Sequence, residues 1–235
     1  MNNIPEYSVV IPVFNEEKSL PVLQERLVPV CEKIRGEYEI IYVDDGSTDD
    51  SLDVLKRLKK ENSRLKVVSF DRNTGKSEAL YAGFMNARGK WIVTLDADLQ
   101  NPPEEIPKLI ALKNSFDYVI GIRKKRQDGI FRRISAGLAR RIRKFVLKDA
   151  TQDAGCALRM FKREVVFSVP FFRNFHRFHP FLARKHGFTL KEIPVEHSSR
   201  LFGRSKYKTF QRAKEGLFDL HRLTTKMTKM GSKLY

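Results

Sequence analysis

The sequence predicts an α/β fold in which helices cover both faces of a mostly parallel sheet. Four apolar runs in the first hundred residues have the length and the β-branched and aromatic content of buried strands. Helical patterns alternate with these runs, and such alternation is typical of a parallel sheet. At 235 residues and 41% hydrophobic content, the chain can bury one core and a small appendage.

The predicted elements follow one another along the chain. The first strand covers residues 7–14 and is broken near its end by Pro12, which lacks a ladder donor. Asn15 suits the N-cap of a helix to about residue 35, with acids in its first turn. Further strands are predicted at 39–43, 66–70, 91–95 and 117–121, with helices at 50–62 and 78–88 and a helix start at 101–105.

Two carboxylates follow the fourth strand. Asp96 and Asp98 are spaced i, i+2, so a continuing strand would point both to the same side. With the amide oxygen of Gln100 they form a set of hard oxygen ligands that suits Mg²⁺ or Mn²⁺. An acidic turn that caps the helix beginning near Asn101 is the alternative, and the residues alone leave both open.

The carboxyl ends of parallel strands meet at one edge of a sheet, where ligands bind. The predicted strand ends carry Phe14-Asn15-Glu16, Asp44-Asp45, Arg72-Asn73 and Asp96-Ala97-Asp98. Carboxylates repel phosphate, so we expect Asp44 or Asp45 to accept hydrogen bonds from a base or ribose. A strand-to-helix turn capped by Ser47 or Asp49 is the alternative there.

Together these motifs resemble the nucleotide-sugar half of a family 2 glycosyltransferase. The stretches that carry the resemblance are residues 9–16, 43–47, 73–76 and 96–100, in the family's order and each at a strand end. Within the family they are most similar to polyprenyl-phosphate glycosyltransferases of the dolichol-phosphate mannose synthase type. The resemblance extends over about residues 7–220.

The resemblance implies a Rossmann-like GT-A domain over 1–207, with a nucleotide-sugar half (1–120) and an acceptor half (121–207). It also implies a UDP- or GDP-sugar donor and Mg²⁺ or Mn²⁺ as cofactor, with Asp96, Asp98 and Gln100 as the metal ligands. The residues that it assigns to nucleotide binding are Pro12, Phe14, Glu16, Asp44, Asp45, Asn73, Lys76 and Asp96.

Charge is distributed unevenly along the chain, whose net charge is +17. Residues 1–120 hold 16 Lys and Arg against 20 Asp and Glu, whereas residues 121–235 hold 29 against 8. The basic half could bind nucleic acid, an anionic membrane surface or phosphate-bearing substrates. A nucleic-acid-binding module would leave the acids at the strand ends unexplained, because they would repel a phosphate backbone.

Arginines that follow the fifth strand predict an acceptor-phosphate site, because guanidinium groups donate in a fork that matches phosphate oxygens. A solvated basic helix face is the alternative. The resemblance supports the phosphate site, although Ala136 stands where the family has a hydroxyl and Ser135 lies one residue earlier. The predicted acceptor-phosphate residues are Arg123, Arg126, Arg132, Ser135, Arg200, Arg204 and Lys206.

Residues 151–163 resemble the family's Asp-x-Gly segment, which contains Asp153. A phosphate acceptor is largely dianionic at neutral pH and needs no general base. We therefore expect Asp153 to orient the acceptor, or to hold Arg159 or another arginine, rather than to abstract a proton. The predicted catalytic set is Asp96, Asp98, Asp153, Arg123 and Arg132.

Three further side chains that could be functional are predicted to be structural. His176 and His179 are spaced i, i+3 and are expected to be neutral and packed rather than metal ligands. Cys156 is expected to be a small core residue.

The sequence also predicts where the protein acts. It shows no signal-peptide pattern and no apolar run near the roughly 20 residues of a membrane span. Two cysteines without a pairing pattern fit the reducing cytoplasm. A basic amphipathic helical tail (208–235) and an aromatic cluster predict peripheral binding to an anionic membrane face, or to a membrane-embedded partner. The cluster consists of Phe171, Phe172, Phe175, Phe178 and Phe181.

The predicted function is inverting transfer of a sugar from a nucleoside diphosphate-sugar to undecaprenyl or dolichyl phosphate. Transfer to a saccharide hydroxyl is the alternative within the family, and it would require Asp153 as a true base. No nucleic acid partner is expected.

Overall fold

The computed structural model describes residues 4–124, 145, 147, 149 and 151–202. The chain forms two compact units, one of residues 1–125 and 153–203 and the other of residues 126–152 and 204–235. Every helix and strand given below belongs to the first unit, which we call the sheet unit. The predicted amphipathic tail lies outside the described residues.

The sheet unit contains a seven-stranded mixed sheet in the order β3-β2-β1-β4-β6-β5-β7. Only β6 runs antiparallel to its neighbours, and all other pairs are parallel. The mostly parallel α/β sheet is therefore confirmed. The strands are β1 (Tyr7–Val13), β2 (Tyr38–Asp44), β3 (Leu65–Ser69), β4 (Trp91–Thr94), β5 (Tyr118–Arg123), β6 (Arg159–Lys162) and β7 (Leu190–Val195).

The helices connect these strands. They are α1 (Ser19–Lys33), α2 (Ser51–Glu61), α3 (Lys76–Asn86), α4 (Ile106–Ile110) and the short helices Glu164–Ser168 and His179–Lys185. Two 3₁₀ turns cover Pro103–Glu105 and Phe175–Arg177. From β1, the chain adds β2 and β3 on one side, and then returns to place β4 on the other side of β1. Right-handed crossovers therefore put α1 and α2 on one face of the sheet and α3 on the other.

The position of α3 is set by a close approach at Gly83. A Cβ atom at Gly83 would lie 2.3 Å from Cγ1 of Val10 in β1 and 3.1 Å from Cγ2 of Val43 in β2. Both strands are buried apolar runs, as expected for central parallel strands covered on both faces. This contact brings the first turn of α3 to the carboxyl edge of the sheet.

The predicted helix start at Asn15 is wrong, because α1 begins at Ser19 and its N-cap residue Lys18 makes no side-chain cap. Asn15 has a left-handed backbone (φ 55°), which asparagine tolerates. Its Oδ1 accepts the backbone N–H of Thr48 at 2.7 Å, and its own N–H donates to Ser47 Oγ at 2.9 Å. Asn15 therefore ties the loop after β1 to the loop after β2.

The aromatic cluster, which was one of the two features behind the predicted membrane binding, is largely buried. Phe172, Phe175, Phe178 and Phe181 are buried, and only Phe171 is appreciably exposed, at 39%. These rings pack in the core, because hydrophobic burial stabilises them there more than contact with water would. No helix in the described parts of the chain is long and apolar enough to span a membrane.

His179 is buried among aromatic rings and His176 is partly buried against Ser77, so both histidines pack within the fold, as predicted. His179 Nδ1 lies 3.0 Å from the Tyr118 hydroxyl, and its Nε2 is buried with no hydrogen-bond partner in the described residues. Burial lowers the pKa of His179 to about 3, since a charged ring would leave that nitrogen unpaired, and burial also lowers the pKa of His176. Both imidazoles are therefore neutral at physiological pH.

We expect the two histidines to make the protein lose stability in mild acid. Their pKa values are depressed in the native state, so below pH 6.5 the unfolded chain binds protons that the native protein does not. Each histidine should lower the free energy of unfolding by up to about 1.4 kcal/mol per pH unit from pH 6.5 downward. Denaturant unfolding of wild type and His179→Gln between pH 7.5 and 5 measures this slope.

The variant should have a shallower slope by about one proton. His186→Gln is the matched control, because His186 is exposed in the native protein. Equal slopes for wild type and His179→Gln would contradict the prediction.

Candidate active site

The carboxyl ends of the parallel strands form one edge of the sheet, as predicted. β6 is antiparallel and pairs Arg159, at its start, with Thr94 at the end of β4 and with Ile120 in β5. The segment that leads into β6 therefore reaches the same edge. This register brings Asp153, which precedes β6, to the edge that also holds Arg123 at the end of β5.

Asp45 organises the loop after β3. Its carboxylate accepts hydrogen bonds from the Thr74 N–H at 2.7 Å, the Thr74 hydroxyl at 3.0 Å and the Gly75 N–H at 3.0 Å. The side chain of Asn73 donates to the same carboxylate at 3.0 Å. Asp45 therefore fixes residues 73–75, and the φ of 114° at Gly75 is one that favours glycine.

Asp44 is buried at the end of β2. Its carboxylate accepts a long hydrogen bond from the backbone N–H of Ser47 at 3.3 Å. Asp44 therefore shapes its own loop.

Lys76 begins α3 and forms an ion pair with Asp96, with its Nζ 2.5 Å from Oδ1. The adjacent Ser77 is anchored by His176, whose Nδ1 lies 2.6 Å from the serine hydroxyl. The first turn of α3 is thus held from two sides, which positions the Lys76 ammonium at the acidic turn after β4.

Asp96 and Asp98 lie in a turn rather than on one face of a strand, because β4 ends at Thr94. Leu99 has a left-handed backbone (φ 61°), and Asp98 Oδ1 accepts the N–H of Gln100 at 3.2 Å. Asp98 is buried.

Arg200 lies against this turn. Its Nη2 is 2.8 Å from Asp98 Oδ2 and 3.2 Å from Glu16 Oε1. Burial alone would lower the pKa of the guanidinium, but the hydrogen bond and field of Asp98, followed by the fields of Glu16 and Asp96, raise it. Two carboxylates, from the segments after β1 and β4, thus contact one cation, and Asp96 adds its field.

Arg123 and Asp153 form a second, bidentate ion pair. Nε and Nη2 of Arg123 lie 2.8 Å from Oδ2 and Oδ1 of Asp153, and the side chains are only 18% and 6% exposed. Arg159 does not pair with Asp153, because its guanidinium donates to the backbone carbonyls of Ala154, Cys156 and His176. The arginine that Asp153 holds is therefore Arg123.

Cys156 is buried, as predicted, and burial raises the pKa of its thiol.

His197 is a residue of this edge to which the sequence assigned no role. It follows β7, and burial and Arg123 lower its pKa, whereas Asp98 and Asp153 act to raise it. Its Nδ1 is buried without a hydrogen-bond partner among the described residues. Its position directly after a strand could have indicated a role at this edge. However, β7 contains Pro194, and a proline argues against a strand in sequence-based prediction.

The remaining predicted site residues divide into two groups. Pro12 lies in β1, Phe14 follows β1, and the backbone carbonyl of Gln100 accepts the N–H of Ser198 at 2.9 Å. Arg126, Arg132, Ser135, Arg204 and Lys206 lie outside the described residues.

The acidic turn fits a divalent cation in its chemistry. Carboxylate oxygens are the donors that Mg²⁺ and Mn²⁺ prefer, and Glu16 and Asp98 already bind one cation, the guanidinium of Arg200. No group of three or more His, Cys, Asp or Glu side chains within residues 4–124 and 151–202 could hold a metal ion. Asp96 and Asp98 would thus supply part of a coordination sphere, which Mg²⁺ commonly completes with water and substrate phosphates.

We expect the Arg123–Asp153 pair to contribute strongly to stability. Asp153→Ala would remove the bidentate acceptor of a largely buried guanidinium, and the loss of one member of such a pair typically lowers the free energy of unfolding by about 3 kcal/mol. Arg26 and Glu104 form the matched control pair, with the same bidentate geometry at 2.9 and 2.8 Å but side chains 33% and 50% exposed.

Glu104→Ala should lower the stability by no more than about 1 kcal/mol, because solvent screens exposed pairs. Denaturant unfolding of both variants measures the difference. Equal losses in Asp153→Ala and Glu104→Ala would contradict the prediction.

Comparison with known proteins places the chain in a family. The model of glycosyl transferase family 2 matches residues 8–167. The structure of glucosyl-3-phosphoglycerate synthase from Mycobacterium tuberculosis with phosphoglyceric acid superposes with a TM-score of 0.69 at 20% identity, over 92% of this chain and 80% of that one. The complex of that enzyme with Mn²⁺, UDP and glucosyl-3-phosphoglycerate gives the same values.

A third structure of that enzyme, with Mg²⁺ and UDP, superposes with a TM-score of 0.69 at 19% identity, over 92% of this chain and 79% of that one. These similarities establish the α/β, Rossmann-like GT-A fold. The family match covers residues from β1 to the helix after β6, and thus includes both acidic motifs and the Arg123–Asp153 pair. The chain belongs to glycosyl transferase family 2.

Proposed function

We propose that this protein is an inverting glycosyltransferase that moves a sugar from a UDP- or GDP-sugar to a polyprenyl phosphate, with Mg²⁺ or Mn²⁺ as cofactor. The observation that carries the donor half of the proposal is that Glu16 and Asp98 both contact Arg200 at the edge of the sheet, while the neighbouring Asp96 pairs with Lys76. Membership of family 2 supports the reaction class.

On the donor side, Asp96, Asp98 and Gln100 would hold the cation, which when bound would neutralise charge on the donor diphosphate. The structures of the Mycobacterium tuberculosis enzyme contain Mn²⁺ or Mg²⁺ together with UDP, which favours a uridine nucleotide. The loops held by Asp44 and Asp45, with Pro12, Phe14, Asn73 and Lys76, form the proposed nucleotide-binding surface.

On the acceptor side, Arg123 is the described member of the proposed phosphate site. Asp153 fixes its guanidinium in one orientation, and a fixed guanidinium binds a phosphate with little loss of side-chain entropy. The proposed site also includes Arg126, Arg132, Ser135, Arg204 and Lys206.

The chemical step needs no proton transfer. An oxygen of the acceptor phosphate dianion attacks the anomeric carbon, and the bond from that carbon to the donor diphosphate breaks with its electron pair. The nucleoside diphosphate leaves with one additional negative charge, which Arg200 and Lys76 would stabilise electrostatically. Asp153 is a positioning residue in this scheme, since both its oxygens already accept hydrogen bonds from Arg123.

A second candidate acceptor is a small phosphate-bearing molecule. It is favoured by the similar fold of the Mycobacterium tuberculosis enzyme, whose structures contain phosphoglyceric acid. Both candidates offer a phosphate anion to Arg123, so the acceptor must be distinguished by experiment. For a polyprenyl phosphate, we propose that the protein acts at the cytoplasmic face of a membrane.

We expect one nucleoside diphosphate to stabilise the protein in a metal-dependent manner. Thermal shift measurements with UDP, GDP and CDP, each with and without Mn²⁺, test this expectation. A nucleotide at 100 times its dissociation constant should add about 2.7 kcal/mol to the free energy of unfolding. Asp98→Asn should lose that stabilisation because it removes one of the two carboxylates assigned to the metal.

Asp53→Asn is the matched control, because Asp53 is exposed on α2 and pairs with Lys56, away from the proposed site. It should keep the full response. If no nucleotide stabilises the wild type with Mn²⁺, the donor site is wrong.

We expect radiolabel from the nucleotide-sugar that binds to pass to polyprenyl phosphate in detergent. Parallel reactions contain 3-phosphoglycerate or a free saccharide, and solvent extraction separates labelled lipid from labelled water-soluble product. Label in the organic phase supports the polyprenyl phosphate acceptor. Label that passes only to phosphoglycerate would support the second candidate, and label only on the saccharide would overturn both.

A further inference from the structure

Arg200 lies where the proposed function needs a metal ion. Its Nη2 is 2.8 Å from Asp98 and 3.2 Å from Glu16, and the side chains of these three residues are only 24%, 10% and 10% exposed. The hydrogen bond from Ser198 N–H to the Gln100 carbonyl, at 2.9 Å, holds the segment that contains Arg200 across the acidic turn. The guanidinium is therefore held against the turn by hydrogen bonds.

The neighbouring carboxylate is neutralised in the same way. Asp96 pairs with Lys76 at 2.5 Å, so each of the two carboxylates assigned to the metal has an internal cation from another part of the chain. The buried carboxylate of Asp98 needs such a partner, since an unpaired buried charge is strongly destabilising, whereas Asp96 is 31% exposed. Glu16, Asp96 and Asp98 carry three negative charges, and Arg200 and Lys76 carry two positive charges, which leaves this cluster with one net negative charge.

We propose that Arg200 is a stand-in cation that exchanges with the divalent metal at Asp98 when the donor binds. This inference rests on the proposed function and deepens its donor site. A metal ion that arrives alone must compete with the guanidinium for Asp98, and the displaced guanidinium has no new partner. When the metal ion binds together with a nucleoside diphosphate, the displaced guanidinium has a new partner. The diphosphate oxygens accept the hydrogen bonds that the guanidinium had donated to Asp98.

The exchange makes metal and nucleotide binding mutually dependent. Arg200 weakens the binding of metal alone and strengthens the binding of nucleotide in the presence of metal. By linkage, each ligand then raises the affinity for the other by the same factor. The acidic turn would stay paired in the absence of donor.

A permanent ion pair is the alternative arrangement. In that case Arg200 would only tie residues 196–200 to the turn after β4, and it would keep its bond to Asp98 with ligands bound. Removing the guanidinium would then lower stability without increasing the affinity for a metal ion. The two arrangements predict opposite effects on metal binding.

The experiment measures the binding of Mn²⁺ alone to the full-length protein, by calorimetry and by the paramagnetic resonance signal of free Mn²⁺. Arg200→Gln should bind Mn²⁺ alone at least about fivefold more tightly than wild type, the lower end of typical coupling between sites. Arg200→Lys retains a cation and should stay closer to wild type. Arg26→Gln, which loses the same charge from the exposed pair with Glu104, should bind Mn²⁺ as wild type does.

A second measurement repeats the titration with the nucleoside diphosphate that stabilises the wild type. The factor by which Mn²⁺ raises nucleotide affinity should be at least about fivefold smaller in Arg200→Gln. If Arg200→Gln binds Mn²⁺ alone no more tightly than wild type, the stand-in role is overturned. If the wild type binds no nucleotide with Mn²⁺, the proposed function itself fails, whatever Arg200→Gln does with Mn²⁺ alone.

Discussion

A carboxylate that is buried needs hydrogen-bond donors or a cation, and the carboxyl edge of this sheet holds several of them. Asp44, Asp45 and Asp98 are all buried, and Glu16 and Asp96 lie beside them. Parallel strands bring these acids together because their carboxyl ends lie at one edge. The loops that leave the edge fold so that each carboxylate finds a partner.

The partners connect elements that are distant in sequence. Asp45 holds residues 73–75, which places Lys76 at the start of α3, and Lys76 reaches Asp96 after β4. A second connection runs from Asp98 through Arg200 to Glu16, whose other carboxylate oxygen accepts the hydroxyl of Ser19 at 2.8 Å. Each connection includes the first residue of a helix, Lys76 of α3 or Ser19 of α1. The charges of the site therefore also fix where these two helices begin.

The sequence predicted the parallel strands of the first half well, because each is a continuous apolar run bounded by polar turns. It did not predict β6 or β7. Arg159–Lys162 is a four-residue strand with a basic residue at each end, and Leu190–Val195 contains Pro194, which a sheet accepts only at an edge such as the one that β7 forms. The edge was therefore assembled from the predicted strands without the segments that precede β6 and follow β7.

Long-range pairing was beyond the reach of sequence patterns for a physical reason. Arg200 and Asp98 are 102 residues apart, and only the register of β4 against β6, and of β5 against β7, brings them together. The sequence therefore assigned Arg200 to the acceptor phosphate from its charge and the family resemblance, whereas the structure pairs it with Asp98, assigned to the metal, and Glu16, assigned to the nucleotide. Asn15 was assigned to a helix cap by a local rule, but its hydrogen bonds to Ser47 and Thr48 are tertiary.

At this edge, acids from the first half of the chain lie beside cations from its basic second half. The acids of the first half would repel the anionic groups that a glycosyl transferase brings together, unless cations lie among them. Arg123 and Arg200, from the basic half, are each held by an acid, at Asp153 and at Asp98. A guanidinium held in this way is already oriented and largely withdrawn from water, so its interaction with an arriving anion is stronger than that of a solvated arginine. The acids at this edge thus keep the cations in position for the anions that the proposed reaction brings to them.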